Sequence, residues 1–201
     1  SSDENIETIF CTSVGSIVAL IYLLNLDSNI VDNYLIKRPW EKLINFKTND
    51  YLNIFYKKEL INENIFIKII EPLLKYKGLS SEITLKELYN IYKIELNFVI
   101  SNINKFEKII MNYKNYPNIE LYKAIHMTCS IPIIITPVYY NNEYYLDGGI
   151  FTNCPVLDCM KNNNCEENEI LSLINDKRVC IDLSNNYYLE NNYNFSNNDN
   201  I

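Results

Sequence analysis

Polar and apolar residues alternate along "NIETIFC", Asn5 to Cys11, and the pattern then turns almost wholly apolar through "SIVALIYLLNL". Alternation that ends in apolar residues predicts a short strand running into a core, and the second stretch, apolar on every face, predicts a buried helix. The residues between them, "TSVG", are small. From Asp27 to Lys77 the apolar positions fall three and four apart in "WEKLINF", "NDYLNIFYKKELI" and "NIFIKIIEPLLKY", which predicts amphipathic helices broken near Pro39 and Pro72. Gly78 is a natural stop, and "TLKELYNIYKI" opens with Thr84 and Glu87 at the spacing of a capping box.

The second half changes character. "ELNFVISNIN" and "KFEKIIMNY" are rich in β-branched and aromatic residues and predict two neighbouring strands. "NIELYKAIHMTCS" returns to helical spacing and Pro132 ends it, after which "PVYYNNEYYL" predicts a hairpin turning at Asn141-Asn142. A further helix is expected from Pro155 to about Met160, since proline suits a first helical turn. "EILSLIND" and "RVCIDLS" are candidate last strands, and the Asn-rich residues 186–201 lack apolar periodicity and are expected to be a loose tail. No internal repeat is visible. This order of elements predicts an α/β protein with a central mixed sheet covered by helices on both faces, mixed because the hairpin has to be antiparallel.

Composition narrows the function. A chain of 201 residues with 48% hydrophobic content supports one packed domain. Its net charge of -7 works against nucleic-acid binding, which relies on clustered Lys and Arg, and gives little attraction to an anionic membrane, so lipid contact has to be apolar. The longest apolar run, Ile17 to Leu24, falls well short of the roughly 18 residues of a transmembrane helix. "SSDENIE" lacks the basic flank and apolar centre of a secretory signal, so an intracellular location is expected, cytoplasmic or at the membrane periphery. The six cysteines follow no zinc-like pairing and read as free thiols, and a single histidine, His126, precludes a histidine-rich metal site.

Two short segments carry candidate chemistry. A strand that turns sharply into a helix exposes a serine at its tip and aims the helix N-terminus at it, as "IFCTSVGSIVAL" would do with Ser13; small residues before an apolar helix also serve as an ordinary cap. In "YYLDGGIFTNCP", Asp147 ends an apolar strand and Gly148 and Gly149 permit a sharp bend that holds the carboxylate in place. The alternative is an Asp-Gly turn that carries its aspartate to solvent.

Taken together, "TSVGSIVAL", "ELNFVISNIN" and "AIHMTCSIPIIITPVYYNNEYYLDGGIFTNCPV", in that order, resemble a patatin-like phospholipase, a lipid acyl hydrolase domain, over roughly residues 5 to 160. The resemblance implies a three-layer α/β/α domain, here residues 1–185, that works through a Ser-Asp dyad without a histidine or any cofactor. Ser13 would be the nucleophile and Asp147 its base. The Val14 amide would face the oxyanion, Gly15 would let the helix pack against the elbow, and Gly148 and Gly149 would be the motif glycines. The implied substrate is a phospholipid or another acyl-ester lipid, cleaved in the manner of a phospholipase A during transient contact with a membrane surface. His126, inside a predicted helix, reads as structural or surface.

The chain departs from the family pattern at two places. Cys11 stands where GxSxG has its first glycine; no basic residue flanks it, which argues against a reactive thiol. The glycine-rich oxyanion loop that such enzymes carry upstream has no counterpart, since twelve residues precede Ser13 and the chain holds four glycines, Gly15, Gly78, Gly148 and Gly149. The expectation is an N-terminally incomplete piece of a longer protein. The alternative is an inactive patatin-like fragment or relative acting as a lipid-binding or interaction module.

Overall fold

The computed structural model describes residues 6–43, 61, 63–166, 169–172, 180–182 and 187–189. The predicted first strand is β1, Thr8–Cys11, and the helix that follows is α1, Gly15–Leu23. α1 is not buried all round. Ser16, Ala19, Leu20 and Leu23 point into the core, while Val18 and Tyr22 stay 46% and 49% exposed and continue a stripe begun by Val14 at 68%. Four-residue spacing puts these three on one side of the helix, so an all-apolar sequence here serves one buried and one open face.

Helix α2, Ser28–Leu35, ends before Pro39 and α3, Trp40–Leu43, begins after it, as the proline predicts. The helical pattern expected over residues 44–60 lies outside the described residues. Pro72 does not break the chain: α4, Glu63–Tyr76, runs straight through it. Proline removes the N–H that would have bonded the Lys68 carbonyl. Arg38 supplies the missing donor, Nη2 to Lys68 O at 2.6 Å, and Ile69 O beside it accepts from Arg38 Nη1 at 3.2 Å and from the Tyr34 hydroxyl at 2.7 Å. The proline is thus accommodated by side chains some thirty residues away, which also dock α2 against α4. Gly78, at φ 70°, closes α4 with bonds from Leu79 N to Leu74 O and from Gly78 N to Lys75 O.

The capping box forms as expected at α5, Leu85–Tyr92: Thr84 Oγ1 accepts the Glu87 N–H and Glu87 Oε2 accepts the Thr84 N–H. Strand β2, Glu95–Asn102, is buried at every residue but its first, so both its faces are covered. It pairs in parallel with β1 and antiparallel with β3, Glu107–Met111. Helix α6, Leu121–Cys129, is buried except at Lys123. The hairpin of β4, Val138–Tyr140, and β5, Glu143–Asp147, turns at Asn141 and Asn142, both at positive φ, as a two-residue hairpin turn of this hand requires. Helix α7 begins after Pro155 but reaches further than expected, Val156–Asn163. Strand β6, Cys180–Asp182, in the predicted "RVCIDLS", pairs antiparallel with β7, Tyr187–Leu189, which falls in the Asn-rich tail; the rest of that tail lies outside the described residues. In "EILSLIND" residues 169–172 form no strand and residues 173–176 lie outside the description. The architecture is α/β around a central mixed sheet.

Tyr34→Phe and Arg38→Ala should each cost about 1 kcal/mol in urea unfolding. Arg38→Ala takes from the Lys68 carbonyl the donor that replaces the missing Pro72 N–H, so an Arg38→Ala protein as stable as the wild type would rule out this account of Pro72.

Candidate active site

The site follows from strand register. Phe98 pairs with both Cys11 and Met111, which puts β1 and β3 on opposite edges of β2; Ile100 pairs with both Ile109 and Asp147, which puts β5 on the same edge as β1. β1 is parallel to β2 and β5 antiparallel, so the two strands run toward each other along one edge. They stop at Cys11, opposite Phe98, and at Asp147, opposite Ile100, with Val99 between them. Two segments far apart in sequence are thereby delivered to the same point, one carrying Ser13 and the other Asp147.

On the β1 side the chain turns through Thr12 and Ser13 into α1. Ser13 has φ 52°, a left-handed conformation uncommon for a serine and typical of a sharp strand-to-helix elbow. The turn is held by Gly15 N–H to Thr12 O at 3.0 Å, Ser16 N–H to Ser13 O at 2.9 Å and the Ser16 hydroxyl to the same oxygen at 2.6 Å. Thr12 is tied outward, its hydroxyl donating to Thr152 O at 3.2 Å. The Ser13 N–H donates to Thr128 Oγ1 at 3.0 Å, and that hydroxyl donates to Val99 O at 2.6 Å. The Val14 N–H, next in line, has no acceptor among the described residues.

On the β5 side Asp147 is 6% exposed. Its N–H donates to Ser130 O at 3.0 Å and its carbonyl accepts the Ser101 hydroxyl at 2.7 Å, so the backbone is fixed at both ends. Oδ1 accepts the Gly149 N–H at 2.7 Å, while Oδ2 is buried and completes no hydrogen bond among the described residues. Burial raises the carboxyl pKa above the usual carboxylate range; the neighbouring Ser13 hydroxyl and the Gly149 N–H pull the other way. The structure therefore brings Ser13 and Asp147 together. Gly148 is there for space: a Cβ would lie 2.1 Å from Val99 O. The following loop is locked by Lys108, whose half-buried ammonium meets Asp158 Oδ1 at 2.9 Å and Thr152 Oγ1 at 3.0 Å.

Several expectations change. Gly15 is not needed for packing, since its φ is not left-handed and a Cβ there would meet nothing within 4 Å. Cys11 fits where the pattern has glycine by turning its thiol to Asn97 O at 3.5 Å; burial raises its pKa, so it is an inert core thiol. Cys129 also borders the site, 3.7 Å from Ser16 Oγ, with its thiol pushed up to about 12 by burial. His126 is structural: it stacks on Phe66, contacts Thr136 O through Nε2 at 3.0 Å and is pushed down to about 4 by burial. No group of three or more His, Cys, Asp or Glu side chains able to hold a metal occurs among the described residues. Sequence reasoning missed Thr128, Thr152 and Lys108. Thr128 leaves one trace, a hydroxyl between Met127 and Cys129 at the end of the helical run "LYKAIHMTC".

Comparison with known proteins identifies the family. The patatin-like phospholipase family model matches residues 2–160, and the chain belongs to that family. It is 28% identical over 164 residues to "Probable lipid hydrolase 463L" of Invertebrate iridescent virus 6, covering 80% of this chain and 56% of that protein. It is 27% identical over 155 residues to "Uncharacterized protein R571" of Acanthamoeba polyphaga mimivirus, covering 76% and 50%. The chain thus spans about half the length of these relatives. Among solved structures it is similar to VipD from Legionella pneumophila, with a TM-score of 0.49 and 14% identity over 73% of this chain and 41% of that one. Among the described residues no helix is long and apolar enough to cross a membrane.

Two outcomes check this geometry. Gly148→Ala should lose several kcal/mol or fail to fold, whereas Gly15→Ala should change stability by less than about 1 kcal/mol, as read by thermal unfolding. His126 keeps a lower pKa folded, about 4, than the 6.5 of the free side chain, so below pH 6.5 the unfolded chain takes up a proton that the native state refuses. Its contribution to stability is complete above pH 6.5 and declines as the pH falls toward 4. His126→Gln should flatten that part of the stability profile, and an unchanged slope would show that His126 is not its source.

Proposed function

We propose that the chain carries the catalytic centre of a lipid acyl hydrolase of the phospholipase A type, with Ser13 as nucleophile and Asp147 as base. The observation that carries this reading is a serine in a strained elbow conformation beside a buried carboxyl group, one of whose oxygens has no partner among the described residues. A serine hydroxyl attacks an ester only if its proton has somewhere to go and the oxyanion is stabilised. Asp147 Oδ2 takes that proton as Ser13 Oγ bonds to the acyl carbonyl, and the Val14 N–H donates to the oxygen on which charge develops. Collapse of the intermediate breaks the ester bond. The alcohol, a lysolipid for a phospholipid substrate, leaves with the proton from Asp147. A water molecule then gives its proton to Asp147 and attacks the acyl-enzyme, releasing the fatty acid and restoring the Ser13 hydroxyl. No histidine takes part.

Apolar contact with a membrane fits the same reading. Val14, Val18 and Tyr22 lie exposed on the elbow helix, and Ile131, Ile133 and Ile134 lie exposed in the loop that follows Ser130, the residue bonded to Asp147. Neither α1 nor residues 130–135 contain a charged residue. The second reading, a lipid-binding module without catalysis, draws support from the site's offering one free amide at the elbow where oxyanion holes commonly use two donors.

A fluorophosphonate probe separates the two readings: labelling at Ser13 supports the hydrolase, and lipid binding without labelling supports the module. Ser13→Ala and Asp147→Asn should each reduce fatty-acid release by at least about a thousandfold. Since the base has to be ionised and its pKa is raised, activity should climb with pH through a midpoint above the ordinary carboxylate value, and His126→Gln should leave that midpoint in place. Val18→Asp and Ile133→Asp should weaken flotation with phosphatidylcholine vesicles while hydrolysis of a short soluble ester is retained.

A further inference from the structure

We infer that Thr128 is the positioning residue of the site, setting the place of Ser13 through its backbone amide. This rests on the hydrolase reading and extends it to a residue on a different element. Thr128 is fully buried on α6, and its single hydroxyl makes two directed bonds, accepting the Ser13 N–H at 3.0 Å and donating to Val99 O at 2.6 Å. A hydroxyl has one proton, so the two bonds fix each other's direction: because the proton goes to Val99 O, a lone pair is left facing the elbow.

Val99 is the residue between the ends of β1 and β5, and its carbonyl is also the one that Gly148 approaches too closely to carry a Cβ. The nucleophile is thus tied through Thr128, and the base through the Gly148 turn, to one carbonyl on the central strand. The distance between Ser13 and Asp147 is set by that shared anchor, and neither residue touches it with its own side chain. The bond from Ser13 N–H also offsets part of the cost of φ 52°, a conformation strained for a residue other than glycine. Displacing the elbow by about an ångström is the kind of change that lowers a catalysed rate roughly a hundredfold without altering any reacting group.

Thr128→Val keeps the shape and deletes both bonds; Thr128→Ser keeps both bonds and deletes a methyl group. The fluorophosphonate labelling rate of Ser13 and the hydrogen-exchange rate of the Ser13 amide are read for each, alongside thermal unfolding to show that the variants are folded. The expected result is labelling by Thr128→Val slowed roughly tenfold to a hundredfold, with kcat lowered and KM little changed, and a Ser13 amide that exchanges faster. Thr128→Ser should restore both properties even if it is the less stable protein. Wild-type labelling by Thr128→Val, or a Ser13 amide protected as in the wild type, overturns the inference. So does a serine variant no better than the valine one. If wild-type Ser13 is not labelled at all, the hydrolase reading fails, and the exchange measurement still decides whether Thr128 holds the elbow.

Discussion

Two strands meet end to end along one edge of β2, and the carbonyl of Val99 faces the point where they stop. Buried backbone polar groups have to be paired, and a carbonyl with a strand end on either side of it has no ladder partner to turn to. The Thr128 hydroxyl fills that role. Because a hydroxyl can donate and accept together, the same group reaches the Ser13 amide and couples the elbow to the sheet. On the other side the chain leaving Asp147 has to pass so close to the same carbonyl that only glycine fits. The placement of the candidate nucleophile and base is therefore a consequence of satisfying one buried acceptor in a crowded space.

Holding a serine at φ 52° requires surrounding structure that over-determines it. Five hydrogen bonds converge on Thr12, Ser13 and the two residues' immediate contacts: Gly15 N to Thr12 O, Ser16 N and Ser16 Oγ to Ser13 O, Ser13 N to Thr128, and Thr12 Oγ1 to Thr152 O. The last of these passes the constraint to the loop after Gly149, where Lys108 and Asp158 form an ion pair with little solvent access. Removing one partner of such a pair leaves an unpaired charge and costs about 3–5 kcal/mol, so the loop is held firmly against β3 and α7.

What was legible in the sequence was local. The strand before "TSVG", the capping box at Thr84, the stop at Gly78 and the Asn141-Asn142 turn each depend on residues within a few positions of one another, and each formed as read. Pro72 was misread because the group that takes up its orphaned carbonyl, Arg38, lies outside any local window. Thr128, Thr152 and Lys108 escaped notice for the same reason: their partners are 29 to 140 residues away and no spacing rule marks them. Gly15 shows the opposite error. A glycine in a motif position looks obligatory, yet space requires Gly148 and leaves Gly15 free, a distinction that needs the neighbouring backbone to be seen.

The two oxygens of Asp147 have different surroundings, and that asymmetry fits the proposed role of a base that works without a histidine. Oδ1 is committed to the Gly149 N–H, which orients the carboxyl group and favours its charged form. Oδ2 is buried without a partner among the described residues, and an unpaired buried oxygen is costly. Taking a proton relieves that cost, which is the physical content of the raised pKa: burial makes the group more basic, while the Gly149 N–H and the nearby Ser13 hydroxyl pull the other way. A carboxylate in water is too weak a base to draw a proton from a serine hydroxyl efficiently. Desolvating one of its oxygens beside that hydroxyl narrows the mismatch, and the same burial that destabilises the charged group in the resting fold thereby favours the direction of proton transfer that the proposed chemistry needs.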